Sequence, residues 1–310
     1  MKKILFATTA LVATAGVAAA DVTLSGYGRF GIDYIEGRTL AGANNETAVS
    51  SRFRLSIDGS TEADNGLSFG ARIRFEQDGA NEAIINNQFN SARFYAKAGG
   101  LEVGVGNILG AMDSLPGIYS GSLGLTGLGW GNVVTNFNSH TYDSKTNGVA
   151  PEGVELIYSG GNWTAHLSHG DLPGRQLDRT EIGGSFTFND WTIGMALATR
   201  PDALETGTNG VLTIGGKLGA ANIGLAFAQN EYATVKRNAI TLSGSFEVGA
   251  ATTIKAYIAK DEVWAPVPGR DEMAYGIGVS HNLGGGASIQ GGIVDLHGQT
   301  RADLGVLFNF

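Results

Sequence analysis

The sequence predicts an all-β protein, a 16-stranded antiparallel β-barrel that crosses a membrane, and three observations predict it. From Asp21 to Phe310 the dominant hydrophobic period is two, the strand signal, and no stretch sustains a period of 3.6. The connections between the alternating segments are in turn short and long. The third observation is composition: 43% of the 310 residues are hydrophobic and only 16% charged, with 48 glycines, 6 prolines and no cysteine. Typical chains are about 25% charged and about 7% glycine, so this balance fits a water-soluble domain poorly. It is too apolar for a disordered chain. The lack of cysteine excludes a disulfide scaffold, a zinc finger and a thiol nucleophile. The glycines lack the three-residue period of collagen.

Residues 1–20 stand apart from the fold. Lys2-Lys3 form a positive start, Ile4 to Val17 an apolar run, and Ala18-Ala19-Ala20 a small-residue cleavage site before Asp21, which together read as a secretory signal peptide removed in the mature protein. A membrane-spanning helix would need about 20 strongly apolar residues. Loss of Lys2 and Lys3 leaves 19 basic and 29 acidic residues in 21–310, a net charge of about −10. An exported acidic chain is a poor partner for nucleic acid, whose binding depends on cations that neutralise phosphates.

The first strand places Val22, Leu24, Gly26, Gly28, Phe30, Ile32 and Tyr34 on one face and Thr23, Ser25, Tyr27, Arg29 and Asp33 on the other. The second opposes Phe53, Leu55 and Ile57 to Arg52, Arg54, Ser56 and Asp58. The third opposes Leu67, Phe69, Ala71, Ile73 and Phe75 to Ser68, Arg72, Arg74 and Glu76. The fourth sets Ala92, Phe94 and Ala96 against Ser91, Arg93, Tyr95 and Lys97. Twelve more segments follow, near 101–107, 153–159, 162–169, 180–188, 191–199, 210–218, 221–229, 237–247, 251–260, 271–281, 287–294 and 300–310. Short turns are expected at Gly99-Gly100, Gly160-Gly161-Asn162, Asn189-Asp190, Ala220-Ala221 and Gly284-Gly285-Gly286. Longer polar loops are expected near 35–51, 77–88, 170–179, 200–209, 230–236, 261–270 and 295–299.

Segments of about ten residues, apolar on one face and polar on the other, with alternating connection lengths, are the signature of a transmembrane barrel. Hydrocarbon offers backbone groups no partner, so only a closed sheet leaves no open edge. Aromatics near strand ends supply the interfacial girdle: Phe30, Tyr34, Phe75, Tyr158, Trp163, Phe188, Trp191, Tyr275, Phe308 and Phe310. A soluble sandwich or propeller also alternates, but explains neither the export signal nor the girdle. Sixteen strands leave an aqueous lumen where eight would be filled by side chains. The long, glycine-rich connection 108–152 after the fifth strand is then the candidate plug or constriction.

The blocks LSGYGRFGIDYIEGR, SSRFRLSIDGSTEADNGLSFGARIRF and LGGGASIQGGI with ADLGVLFNF resemble the 16-stranded general porins of the bacterial outer membrane, especially those of photosynthetic alpha-proteobacteria. The resemblance covers essentially all of 21–310. It implies homotrimers in lipid and lipopolysaccharide, passive diffusion of small hydrophilic solutes and ions, and a third loop folded into each lumen. It also implies a constriction where wall arginines face acids on that loop. The terminal Phe310 is similar to the aromatic assembly signal of outer-membrane barrels. Arg29, Arg52, Arg54, Arg72, Arg74 and Arg93, with Lys97, fall on the polar parity of strands one to four and are expected to form one basic patch, unless Asp33, Asp58 or Glu76 pair with some of them.

The loop departs from that pattern. Tyr119–Gly131 carries no acid, and only Asp113, Asp143 and Glu152 remain, with Lys145 offsetting one. Weak selectivity leaning toward anions is therefore expected. Leu123, Leu125, Leu128, Trp130 and Phe137 are expected to pack against the wall rather than present an apolar slide to the lumen, because an apolar run in a wet lumen is costly. Small outward residues on strands one to five (Gly26, Gly28, Ala71, Ala92, Ala96, Ala98) would let a neighbouring wall approach closely.

Other motifs carry less. Gly26-Tyr-Gly28-Arg-Phe-Gly31 matches a dinucleotide fingerprint but lacks the helix that must follow. His166 and His169 lie three apart on a strand and face opposite ways, which argues against a metal pair. Asn162-Trp-Thr164 matches a glycosylation sequon at a turn. No cofactor or metal is expected and no catalytic cluster is visible. Two other function classes remain: a substrate-specific channel with an aromatic track, and an outer-membrane barrel hydrolase.

Overall fold

The computed structural model describes residues 20–40, 42–80, 87–128, 142, 153–171, 178–202, 205–232, 235–262 and 271–310. Residues 1–19 lie outside them, as do Asp143, Lys145, Glu152 and most of 129–152. The strands are β1 (Asp21–Ile35), β2 (Thr47–Glu62), β3 (Ser68–Ala80), β4 (Arg93–Ala98), β5 (Leu101–Gly106), β6 (Gly153–Gly160), β7 (Trp163–Asp171) and β8 (Asp178–Phe188). They continue as β9 (Trp191–Asp202), β10 (Glu205–Leu218), β11 (Ala221–Tyr232), β12 (Val235–Val248), β13 (Thr252–Asp261), β14 (Met273–Gly284), β15 (Ala287–Leu296) and β16 (Thr300–Asn309). A short stretch, Asn87–Phe89, adds to β3 ahead of β4.

Each strand pairs antiparallel with its sequence neighbours, and β16 pairs with β1. The ring is closed, so no edge is left without backbone partners. At the seam, Gly26 N donates to Phe310 O at 2.9 Å and Phe310 N to Gly26 O at 3.1 Å. The Phe310 ring stacks on Phe53 at 5.5 Å and covers Gly26, while Phe308 covers Gly28. These two glycines are thus roofed by the chain's own C-terminus, and are not open for a neighbouring wall as their smallness suggested.

The apolar parity faces outward as the period of two requires: Val22 is 67% exposed, Met195 58% and Ile182 57%. Such exposure of a whole stripe is stable in hydrocarbon, not in water. Strands reach further than the hydrophobic pattern predicts. β9 and β10 run to Asp202 and from Glu205, and β11 and β12 to Tyr232 and from Val235, where long loops were expected. Above the membrane both faces are wet, so alternation fades while backbone pairing continues. The turn expected at Ala220-Ala221 falls at Gly219-Ala220, with Gly219 at φ +63°.

The apolar core lies inside the barrel, between the wall and residues 108–128. One cluster joins Met112, Leu115 and Ile118 to Ala196, Ala198, Val211, Ala226, Ala228 and Ala239. A second joins Leu123 and Leu128 to Tyr257, Ala259, Ala274 and Val294.

Candidate pore site

The inward face of β1–β4 follows from strand register. Across the β2–β3 hairpin, closed by Ala63 and Leu67, the direct partners are Arg52 with Asp78, Arg54 with Glu76, Ser56 with Arg74 and Asp58 with Arg72. β1 adds Arg29 opposite Arg52 and Tyr27 opposite Arg54, and β4 adds Arg93 opposite Arg72. Register thus sets an acid beside three of the four β2–β3 pairs that involve an arginine.

The side chains use those acids. Arg52 pairs with Asp78 and comes within 3.5 Å of Glu76, which also binds Arg54. Arg72 donates to Asp58 at 2.6 Å. Arg93, itself buried, bridges Glu102 at 2.6 Å and Glu155 at 2.5 Å. Gly104 leaves room for that bridge, since a Cβ there would lie 2.6 Å from Glu155 Oε1 and 2.9 Å from Arg93 Nη2. Arg74 lies 4.6 Å from the Tyr142 ring and Arg54 5.2 Å from the Tyr27 ring. Asp33 is taken by Arg38 at 2.5 Å.

The expected basic patch is therefore a mosaic, six arginines among Asp58, Glu76, Asp78, Glu102 and Glu155. Lys97 lies at its edge, at the foot of β4 opposite Ser68 and Glu102, beside the short turn at Gly99-Gly100.

Residues 108–128 run around the remaining wall, held, Arg29 apart, by side chains the sequence did not single out. Leu109 N donates to Glu155 Oε2 at 3.1 Å, Ala111 N to Ser168 Oγ at 3.0 Å and Met112 N to Glu181 Oε2 at 3.0 Å. Thr213 Oγ1 donates to Pro116 O at 2.7 Å. At the far end Asp303 of β16 accepts Leu125 N at 2.9 Å, Thr126 N at 2.7 Å and Thr126 Oγ1 at 2.7 Å, while Arg29 Nη1 donates to Leu125 O at 3.0 Å. Gly124 turns at φ +66° against Asp303, where a Cβ would sit 2.3 Å from Oδ1. The Leu125 side chain fits the notch left by Gly31 and Gly305.

Leu123, Leu125 and Leu128 are all buried against the wall, while Trp130 and Phe137 lie outside the described residues. Tyr142 Oη donates to Arg72 O at 3.2 Å, which ties Tyr142 to β3.

Asp113 is the only acid in 108–128. It accepts the Tyr119 hydroxyl proton, and burial pushes its carboxyl up to about 6, with the Glu181 charge adding to the rise. Asp143 lies outside the described residues. His166 Nε2 lies 2.9 Å from Glu155 Oε2, and no metal-binding cluster occurs among the described residues.

The chain matches the Gram-negative porin family over residues 7–300. It is 30% identical to a porin of Fuscovulum blasticum over 94% of this chain and all of the relative, and 28% identical to a porin of Rhodobacter capsulatus with the same coverage. Among solved structures it is similar to a triple mutant of the Rhodopseudomonas blastica porin, with a TM-score of 0.81 and 28% identity over 94% of this chain and all of that one. A closed 16-strand barrel with a lipid-facing apolar wall, matched along nearly its whole length, belongs to the Gram-negative porin family and is an outer-membrane channel protein.

Proposed function

We propose that this porin passes small hydrophilic solutes and ions passively, through a pore narrowed by loop 108–152 and biased weakly toward anions by the mosaic on β1–β4. The observation that carries the reading is the division of the lumen wall. The early loop lies over β6–β16, and the arginine rows stand on β1–β4. The six arginines and Lys97 outnumber Asp58, Glu76, Asp78, Glu102, Glu155 and Asp303 by one, a small positive excess. A loop with one acid in 108–128 gives the opposite pole little strength, and a selective field needs both.

Single-channel recording in planar bilayers under a salt gradient tests this. Neutralising Arg52, Arg54, Arg72 and Arg74 together should move the zero-current potential toward cation preference, and no movement would remove the mosaic from the filter. Current that saturates and is blocked by one solute would favour a substrate-specific channel, for which the tyrosines stacked on arginines are the available track.

Assembly belongs to the same reading. Residues 1–20 are removed on export, Phe310 marks the barrel for assembly, and three copies associate in lipid and lipopolysaccharide. With Gly26 and Gly28 roofed, Ala71, Ala92, Ala96 and Ala98 remain as the small outward face. Ala96→Trp should convert the trimer to monomers in sedimentation, and an unchanged trimer would move the interface elsewhere.

A further inference from the structure

The outward face of β8 and β9 carries a feature that conduction does not use. Across these strands the register is Ile182 with Leu197, Gly184 with Met195 and Phe186 with Ile193. Gly184 is the one position of the six without a side chain. The five that surround it rim an open apolar hollow of about 440 Å³, whose lining is completed by Gly183, Gly184, Ser185 and Ala196. Gly184 does not fill it by a simple substitution, because a Cβ there would lie 2.6 Å from the Thr164 carbonyl oxygen.

We propose that this hollow holds an acyl chain of a phospholipid from the periplasmic leaflet. The face is continuous with the lipid-exposed wall, Met195 and Ile182 being 58% and 57% exposed, so hydrocarbon is what surrounds it in the outer membrane. A gap left empty there would forfeit dispersion contacts on one side.

Depth selects the leaflet. β8 and β9 meet at the two-residue turn Asn189-Asp190, and short turns face the periplasm. Phe188 and Trp191 flank that turn, and Phe186 stacks with Phe188 at 6.2 Å. Gly184 stands four residues above Phe188. At about 3.3 Å per residue and a tilt near 40°, that is roughly 10 Å into a hydrocarbon core about 30 Å thick, within the periplasmic half.

Chemistry selects the chain. An occupant with hydroxyl or carbonyl groups at this depth would leave them unpaired. A second protein copy needs about 1,000 Å² of buried surface, far more than five side chains around one hollow offer.

The test is photolabelling of the purified protein in vesicles of phosphatidylethanolamine and phosphatidylglycerol, with a diazirine at mid-chain of the phosphatidylethanolamine. Label should concentrate on peptides carrying 182–186 and 193–197, above other lipid-facing strands. Met195→Trp fills the hollow without touching the Gly184 backbone, and Leu197→Trp fills it from the next outward position of β9. The excess label should be lost in both, with single-channel conductance unchanged. Even labelling around the wild-type wall, label that persists in a folded Met195→Trp protein, or a protomer–protomer cross-link at Met195 would each overturn the proposal.

Discussion

Glu76 is 2% exposed and lies between Arg52 and Arg54, so its charge, together with that of Asp78 on Arg52, offsets the two wall arginines. A buried acid removed from such a network leaves its cations uncompensated. Glu76→Gln should therefore strengthen anion preference, Arg54→Gln should weaken it, and the double substitution should fall back near wild type. Zero-current potentials of the three variants check this; an unmoved Glu76→Gln would place the pair away from the ion path.

Asp113 adds a pH dependence of known sign. Its carboxyl, raised to about 6 by burial, is ionised at neutral pH and protonated as pH falls through that value. The loop then loses the one negative charge of 108–128, and anion preference should rise between pH 7 and 5. Because the folded value lies above the ordinary one of 3.8, the linked contribution to stability is fully present below about 4 and lost as pH rises through 6. Asp113→Asn should abolish the pH dependence of the zero-current potential over that window and raise thermal stability at pH 8. A wild-type pH response in Asp113→Asn would assign the titration to another group.

The first part of the long connection behaves as an element of the wall. Residues 108–128 follow a run of turns (Ser114 N to Gly110 O, Leu115 N to Met112 O, Ile118 N to Leu115 O) and tie to Glu155, Glu181 and Asp303 on distant strands. Hydrogen bonds to charged groups contribute about 1.5–3 kcal/mol each, and Asp303 makes three. Asp303→Ala should free the 124–126 end, seen as larger open-channel current noise, with barrel stability little changed because the strands keep their ladder. Leu125→Ala should do the same by emptying the Gly31–Gly305 notch, at a cost of about 2–5 kcal/mol to loop docking. Quiet, wild-type current in both would show that residues beyond 128 hold the loop.

The strands were legible in the sequence because lipid imposes one apolar face on each, as in Phe53, Leu55 and Ile57. The mosaic was legible only in part. Parity gave the arginines a common face, but their neutralisation needs the register that pairs Arg52 with Asp78 and Arg54 with Glu76, and parity alone is blind to register. Anchors such as Asp303, 178 residues from Leu125, leave no local pattern. One signal was present and unread: the inward parity of β9–β14 carries Ala196, Ala198, Ala226, Ala228, Ala239, Ala259 and Ala274, where a wet lumen calls for polar residues. Alanine there marks wall covered by the loop.

At the scale of the whole molecule, closure matters more than any single contact, because hydrocarbon penalises every backbone group that an open seam would expose. The seam between β1 and β16 ends at Phe310, whose two backbone bonds to Gly26 close the last rung and whose ring packs on Phe53. These two contributions are separable. Phe310→Ala keeps the rung and loses the ring, at about 1 kcal/mol for the aromatic pair. Deleting Phe310 loses both and leaves Gly26 N and O without strand partners at the membrane edge. The temperature at which the folded, fast-migrating form converts on a denaturing gel should fall slightly in Phe310→Ala and further in the deletion. Equal falls would mean that the ring, not the backbone rung, holds the barrel shut, and no fall in either would move the weight of closure to the Phe308 cover on Gly28 and the nine register pairs from Tyr27 to Ile35.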